Sequence, residues 1–150
     1  MTTHVAPTEP IGLQVISAAE SVSGALDRAL TAAGGSLGVW LILVAASGKD
    51  QRHGAHPRVS VETGVDALGL SDDMHRMEVA GLVVRRTDAH DARESGVELT
   101  EAGKALFHRL LRVVVAYDAR LRTGFTVEEL DVFSSMLTRL RSTVAAEEPS

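Results

Sequence analysis

Apolar residues recur three and four positions apart after Pro10: Ile11, Val15, Ala18, Ala19, Val22, Leu26, Ala29 and Leu30. That spacing, with proline at the entry, predicts a long amphipathic helix over 11–33, closed by Gly34-Gly35. Ser36 is a good N-cap for a second helix, Leu37 to Ala46. Its run Val39-Trp40-Leu41-Ile42-Leu43-Val44 is apolar on every side, so burial is expected all round. Ser47 to Pro57 is polar, contains glycines and a proline, and reads as a loop.

Beyond the loop, Val59 to Val79 reads as two short helices around a turn: Val61 to Leu68, then Gly69-Leu70-Ser71, then Asp72 to Val79. Ser71 is placed to cap the second helix, and Asp72 and Asp73 in its first turn complement the helix dipole. A helix starting near Ala67 is the other placement, with Gly69 weakening it by about 1 kcal/mol relative to Ala. Met74 and Met77 are expected to face the core. After Gly81 the period shortens to two. Leu82-Val83-Val84-Arg85-Arg86, a polar tip from Thr87 to Arg93, and the alternating Val97 and Leu99 predict a β-hairpin.

Thr100 is positioned to cap a further helix through Leu106, Phe107, Leu110, Leu111, Val114, Val115 and Leu121. Thr126 and Glu129 form a capping box that opens a last helix through Val132, Phe133, Met136, Leu137, Leu140 and Val144, with an acidic tail from Glu147 expected to fray. A hairpin directly behind a helix-turn-helix is a wing. The expected fold is therefore mainly α with a small β-hairpin wing, a winged helix-turn-helix forming one domain over 1–150. The lobe spans 36–99, with the wing at 82–99. The long terminal helices, 11–33 and 101–146, carry more apolar surface than so small a globule covers, and are expected to pair with a second copy as a homodimer.

Composition narrows the chemistry. The chain has no cysteine, which removes thiol redox sensing, Cys-ligated zinc and disulfides. Aromatic residues are 3% of the chain, which disfavours an all-β fold. Met1 to Pro10 has neither a basic cluster nor an apolar core, and Val39 to Ala46 is too short to span a bilayer, so a soluble cytoplasmic protein without membrane contact is expected. The net charge of −5 is unevenly placed: residues 49–59 carry +2, residues 60–80 carry −4 and residues 81–112 carry +1. The location of cations, more than the net charge, decides whether a polyanion binds.

The segment Gly81-Leu82-Val83-Val84-Arg85-Arg86-Thr87-Asp88-Ala89-His90-Asp91-Ala92-Arg93, continuing to Leu99-Thr100-Glu101-Ala102-Gly103, resembles the wing and following helix start of the multiple-antibiotic-resistance regulator (MarR) family. The resemblance implies a homodimer whose terminal helices interlock and whose two lobes reach successive major grooves of double-stranded DNA. It places a minor-groove arginine at Arg93, oriented by Asp91. A guanidinium suits that narrow, electronegative groove. Arg85 and Arg86, at the wing base, are candidate phosphate contacts. Read without the resemblance, all four are solvated hairpin charges, and exposed ion pairs are worth about 0–1 kcal/mol.

On the recognition element, Ser71, His75 and Arg76 are the candidates for base-edge or phosphate contact, with Arg58, Lys49 and Arg52 as further phosphate contacts. Asp72 and Asp73 oppose phosphate, although a carboxylate can accept from a cytosine amino group. His53, His56, His75 and His90 lack the fixed spacing of a metal site and read as solvated histidines. No nucleophile turn, P-loop or dinucleotide fingerprint occurs, so neither catalysis nor a cofactor is expected. Trp40 is either core or one wall of a site for a small aromatic effector. Two functions compete. One is a ligand-responsive homodimeric repressor that binds DNA. The other is a winged-helix protein with weakened DNA reading that acts through protein–protein interaction, favoured by the acidic balance of residues 60–80.

Overall fold

The computed structural model describes residues 9–47, 69–88 and 91–147, the side chains of 86–88 and 91–96 excepted. Along the chain run α1 (Ile11–Ala32), α2 (Leu37–Ser47), α3 (Ser71–Val79), β1 (Val83–Asp88), β2 (Asp91–Leu99), α4 (Glu101–Arg122) and α5 (Val127–Glu147). Two compact units divide it, Met1–Val114 and Val115–Ser150. The expected first helix of the helix-turn-helix, Val61 to Leu68, lies outside the described residues.

In the first unit a single core gathers Leu30 of α1, Ile42 and Leu43 of α2, Met74 and Met77 of α3, Val83 and Val97 of the hairpin, and Leu106 and Leu110 of α4. Full burial of each such side chain stabilises by roughly 1.5–3 kcal/mol. Met74 and Met77 thus anchor α3 by its inner face, as the sequence pattern requires. The expectation for α2 needs correction: Ile42 and Leu43 are fully buried, but Leu41 is 39% exposed. Among the described residues α2 packs against α1, α3 and β2, and through Trp40 against α4, with Leu41 on a side that stays partly open.

The caps explain where the helices begin. Ser36 Oγ accepts from Val39 N–H at 3.1 Å, and Asp27 Oδ1 accepts from Leu37 N–H at 2.7 Å, so two of the donors left open at the start of α2 are satisfied, one by the N-cap and one by α1. Thr100 Oγ1 accepts from Gly103 N–H at 3.1 Å and donates to the Gly81 carbonyl at 2.6 Å, tying the start of α4 to the foot of the wing. Gly103 is needed there because a Cβ would fall on the Leu82 carbonyl oxygen. The Leu-Thr-x-x-Gly run is therefore a strand-to-helix joint with two fixed roles.

At α3 the expected cap moves by one residue. Met74 N–H donates to the Leu70 carbonyl at 2.9 Å, so Leu70 is the N-cap, without a side-chain cap bond, and Ser71 is the first helical residue. Gly69, at φ +67°, makes the turn before it. A helix running unbroken from Ala67 is incompatible with that left-handed residue, which leaves the turn placement.

The hairpin pairs Val83 with Leu99, Arg85 with Val97 and Asp88 with Asp91, with a register shift between Arg86 and Asp88. Strand structure reaches further into the polar Thr87–Arg93 stretch than the sequence pattern predicts. Backbone pairing needs no apolar side chain, so a polar sequence does not end it.

The second unit contains the end of α4 and all of α5. Arg122 Nε contacts Asp118 Oδ2 at 2.6 Å, and the Arg120 guanidinium lies 5.6 Å from the Tyr117 ring centroid. The capping box forms as expected: Thr126 N–H donates to Glu129 Oε2 at 2.8 Å and Glu129 N–H to Thr126 Oγ1 at 3.2 Å. Phe125 and Phe133 stack with centroids 6.5 Å apart. None of the side chains of α5 is buried, and Val132, Phe133, Met136 and Val144 are all more than half exposed.

Candidate nucleic-acid interface

Met74 and Met77 turn one face of α3 inward, which leaves Ser71, His75 and Arg76 on the outward face, all exposed. The three candidates therefore share an accessible surface on a helix of 9 residues. The two aspartates of its first turn part company. Asp72 is exposed, whereas Asp73 is half-buried against α2, where a Cβ on Gly38 would collide with its carboxylate. Asp73 thus lies beside the positive end of α2, a favourable place for a carboxylate, and only one aspartate of the pair stands in the open.

Behind α3 the chain turns directly into the wing. Arg85, a candidate phosphate contact, is engaged inside the protein: its Nε lies 2.7 Å from Glu78 Oε1 at the end of α3. Arg86 follows it on β1, opposite Gly96. Asp91 is the first residue of β2 and Arg93 lies two residues on, so the backbone sets both at the outer part of the hairpin. Arg58, Lys49, Arg52, His53, His56 and His90 lie outside the described residues. Among the described residues no group of three His, Asp or Glu is placed to hold a metal ion.

Trp40 is half-buried and stacks almost parallel on Phe107 of α4, ring centroids 5.5 Å apart. Phe107 in turn meets His108 edge-on at 5.6 Å. Sequence reading placed Trp40 alone; its aromatic partner lies 67 positions later, beyond the reach of local pattern. The Glu78–Arg85 pair and the Asp73–Gly38 contact were missed for a similar reason, since each joins residues on two different elements.

Among the described residues no single helix is long and apolar enough to cross a membrane. No family model matches the chain. Solved structures do. A MarR-family transcriptional regulator from Rhodococcus sp. is 26% identical, with TM-score 0.67, over 87% of this chain and 92% of its own. The Mycobacterium tuberculosis transcriptional regulator MosR, solved in complex with DNA, is 21% identical with TM-score 0.67, over 93% of this chain and 100% of its own. A MarR-family protein of M. tuberculosis, solved in complex with p-aminosalicylic acid, is 22% identical with TM-score 0.62, over 88% of this chain and 98% of its own.

Proposed function

We propose that this chain, whose winged-helix fold is that of solved MarR-family regulators, is a DNA-binding transcription regulator that acts as a homodimeric, ligand-responsive repressor. The observation that carries the reading is the junction of α3 and the hairpin: an exposed face bearing Ser71, His75 and Arg76, followed after three residues by a wing bearing Arg85, Arg86, Asp91 and Arg93. α3 enters the major groove and the wing follows the adjacent minor groove, where Arg93 inserts with Asp91 beside it in sequence. Arg58 adds a phosphate contact. The DNA complex of MosR supports DNA binding by this fold.

The homodimer is supported by apolar side chains left in solvent. Ile11, Leu13 and Ile16 of α1 are each more than half exposed, as are Val132, Phe133, Met136 and Val144 of α5. A second copy covers these residues and sets two lobes about 34–36 Å apart, one helical turn of DNA. Effector response is supported by the half-buried Trp40–Phe107 stack, a flat apolar wall suited to a small aromatic acid such as those bound by the M. tuberculosis protein. Such a ligand acts by favouring a lobe spacing out of step with the grooves. The role is non-catalytic and matches neighbours that are transcriptional regulators.

The test is fluorescence anisotropy with duplexes tiling the DNA upstream of the coding region, at low and moderate salt, with Arg93→Ala alongside. Saturable, salt-sensitive binding to one duplex, weakened by the substitution, is the expected result. Binding that Arg93→Ala leaves unchanged removes the minor-groove assignment. The second reading, action through protein–protein interaction, is favoured by the exposed Asp72 and by the engagement of Arg85 with Glu78. It predicts no duplex bound above the nonspecific level.

A further inference from the structure

Glu78 in the last turn of α3 pairs with Arg85 on β1, joining the proposed recognition helix to the base of the wing. Such a pair can act in two ways: it can hold the two elements in place, or it can hold a charge. The backbone distinguishes them. Ala80 N–H donates to the Arg76 carbonyl at 2.9 Å, Gly81 N–H to Glu78 at 3.1 Å and Leu82 N–H to Met77 at 2.9 Å. The last two bonds, with Gly81 at φ +72°, form a Schellman closure. Buried Met77 and Val83 flank it on either side. The joint is thus fixed by main chain and core.

An ion pair whose side chains are 53% and 31% exposed adds little to a joint so closed. It does alter the electrostatic field. α3 carries Asp72, Asp73 and Glu78 against Arg76, and the third of these carboxylates occupies the Nε edge of Arg85. A guanidinium recognises carboxylate and phosphate oxygens by the same planar fork, so Glu78 offers Arg85 what a DNA phosphate offers.

We propose that Glu78 is an internal phosphate substitute that competes with DNA for Arg85 and so lowers DNA affinity on every sequence alike. The proposal rests on the DNA-binding reading above. Phosphate contacts carry no sequence information, so the competition leaves base preference untouched and acts on the salt-dependent part of binding. Replacing Glu78 by Gln removes a negative charge and the carboxylate at the Nε edge of Arg85, which opens that edge to one further phosphate. The log–log salt slope then steepens by about 0.9. Over a fourfold rise in salt, from about 50 to about 200 mM, the affinity advantage of the variant shrinks by roughly 3.5-fold.

The experiment measures anisotropy of a labelled mixed-sequence duplex against the wild type, Glu78→Gln, Arg85→Ala and the double variant, with far-ultraviolet circular dichroism as the check on folding. Tighter binding by Glu78→Gln, a steeper salt slope, and loss of both in the Arg85→Ala background are expected. Wild-type binding that Glu78→Gln leaves unchanged, or a gain that survives without Arg85, overturns the proposal alone. Failure of all four proteins to bind at about 50 mM salt overturns the DNA-binding reading and this proposal with it.

Discussion

Gly103→Ala and Gly24→Ala make the same chemical change in two helices, and the structure assigns them opposite signs. At Gly24, within α1, an added Cβ meets Arg28 Nη1 at 3.5 Å, an ordinary contact at the end of a flexible side chain. The substitution there gains helix propensity and lowers unfolded-state entropy, so stability rises by about 0.4–1 kcal/mol. At Gly103 the added Cβ falls on the Leu82 carbonyl oxygen and lies 3.1 Å from the Leu82 carbonyl carbon. Main chain has no alternative rotamer, so the helix start and the wing foot must separate. That separation strains the bond from Thr100 N–H to the Leu82 carbonyl, 3.1 Å, and the bond from Thr100 Oγ1 to Gly81.

Overpacking costs about 1–3 kcal/mol and each weakened bond about 0.5–1.5 kcal/mol, against a propensity gain of at most about 1 kcal/mol at this first-turn position. The expected net loss is about 2 kcal/mol, which lowers Tm by roughly 4–8 °C for a chain of this size. Urea and thermal unfolding of the two variants beside the wild type measure it. If Gly103→Ala is as stable as Gly24→Ala, the close approach of α4 to Leu82 is not a constraint on this fold, and the reasoning is refuted.

Asp27→Ala leaves the Leu37 N–H without its acceptor and is expected to cost about 1 kcal/mol, while Asp27→Asn, which keeps an acceptor and loses the charge, costs about 0.3–1 kcal/mol; urea unfolding ranks them. Equal losses in the two variants would show that the carboxylate charge, not the hydrogen bond, is what matters at α2. Val132→Asp places a charge on an exposed apolar position of α5. If a second copy covers it, loss of a valine's burial weakens self-association by at least about tenfold in sedimentation analysis. An unchanged association constant places the dimer contact elsewhere.

What was legible in the sequence was local. Ser36, Thr100 and the Thr126–Glu129 pair cap within three residues of themselves, so their chemistry shows in the spacing alone. The inward faces of Met74 and Met77 follow from helical period in the same way. Ser71 misleads by one position because the turn is made by Gly69, whose left-handed backbone sets Leu70 as the N-cap, without a side-chain cap bond, and Ser71 as the first helical residue. The long-range contacts were not legible. Asp73 looked like a second charge facing DNA, and only the approach of α2 turns it aside. Arg85 looked like an unengaged phosphate ligand until the fold placed Glu78 beside its Nε. For Asp91 and Arg93 the family resemblance gave the outer wing, and the strand register agrees with that placement.

The closure between α3 and β1 makes chain length there as restrictive as sequence. Each residue added to or removed from the last helical turn of α3, between Met77 and Ala80, turns the preceding part of the helix by about 100° about its axis relative to the hairpin. Such a change would carry His75 and Arg76 around the cylinder and swing Met74 and Met77 out of the core, losing the proposed DNA-reading face and its anchor together. Descendants of this gene are therefore expected to vary the residues on the outward face of α3 freely while keeping the number of residues that follow it.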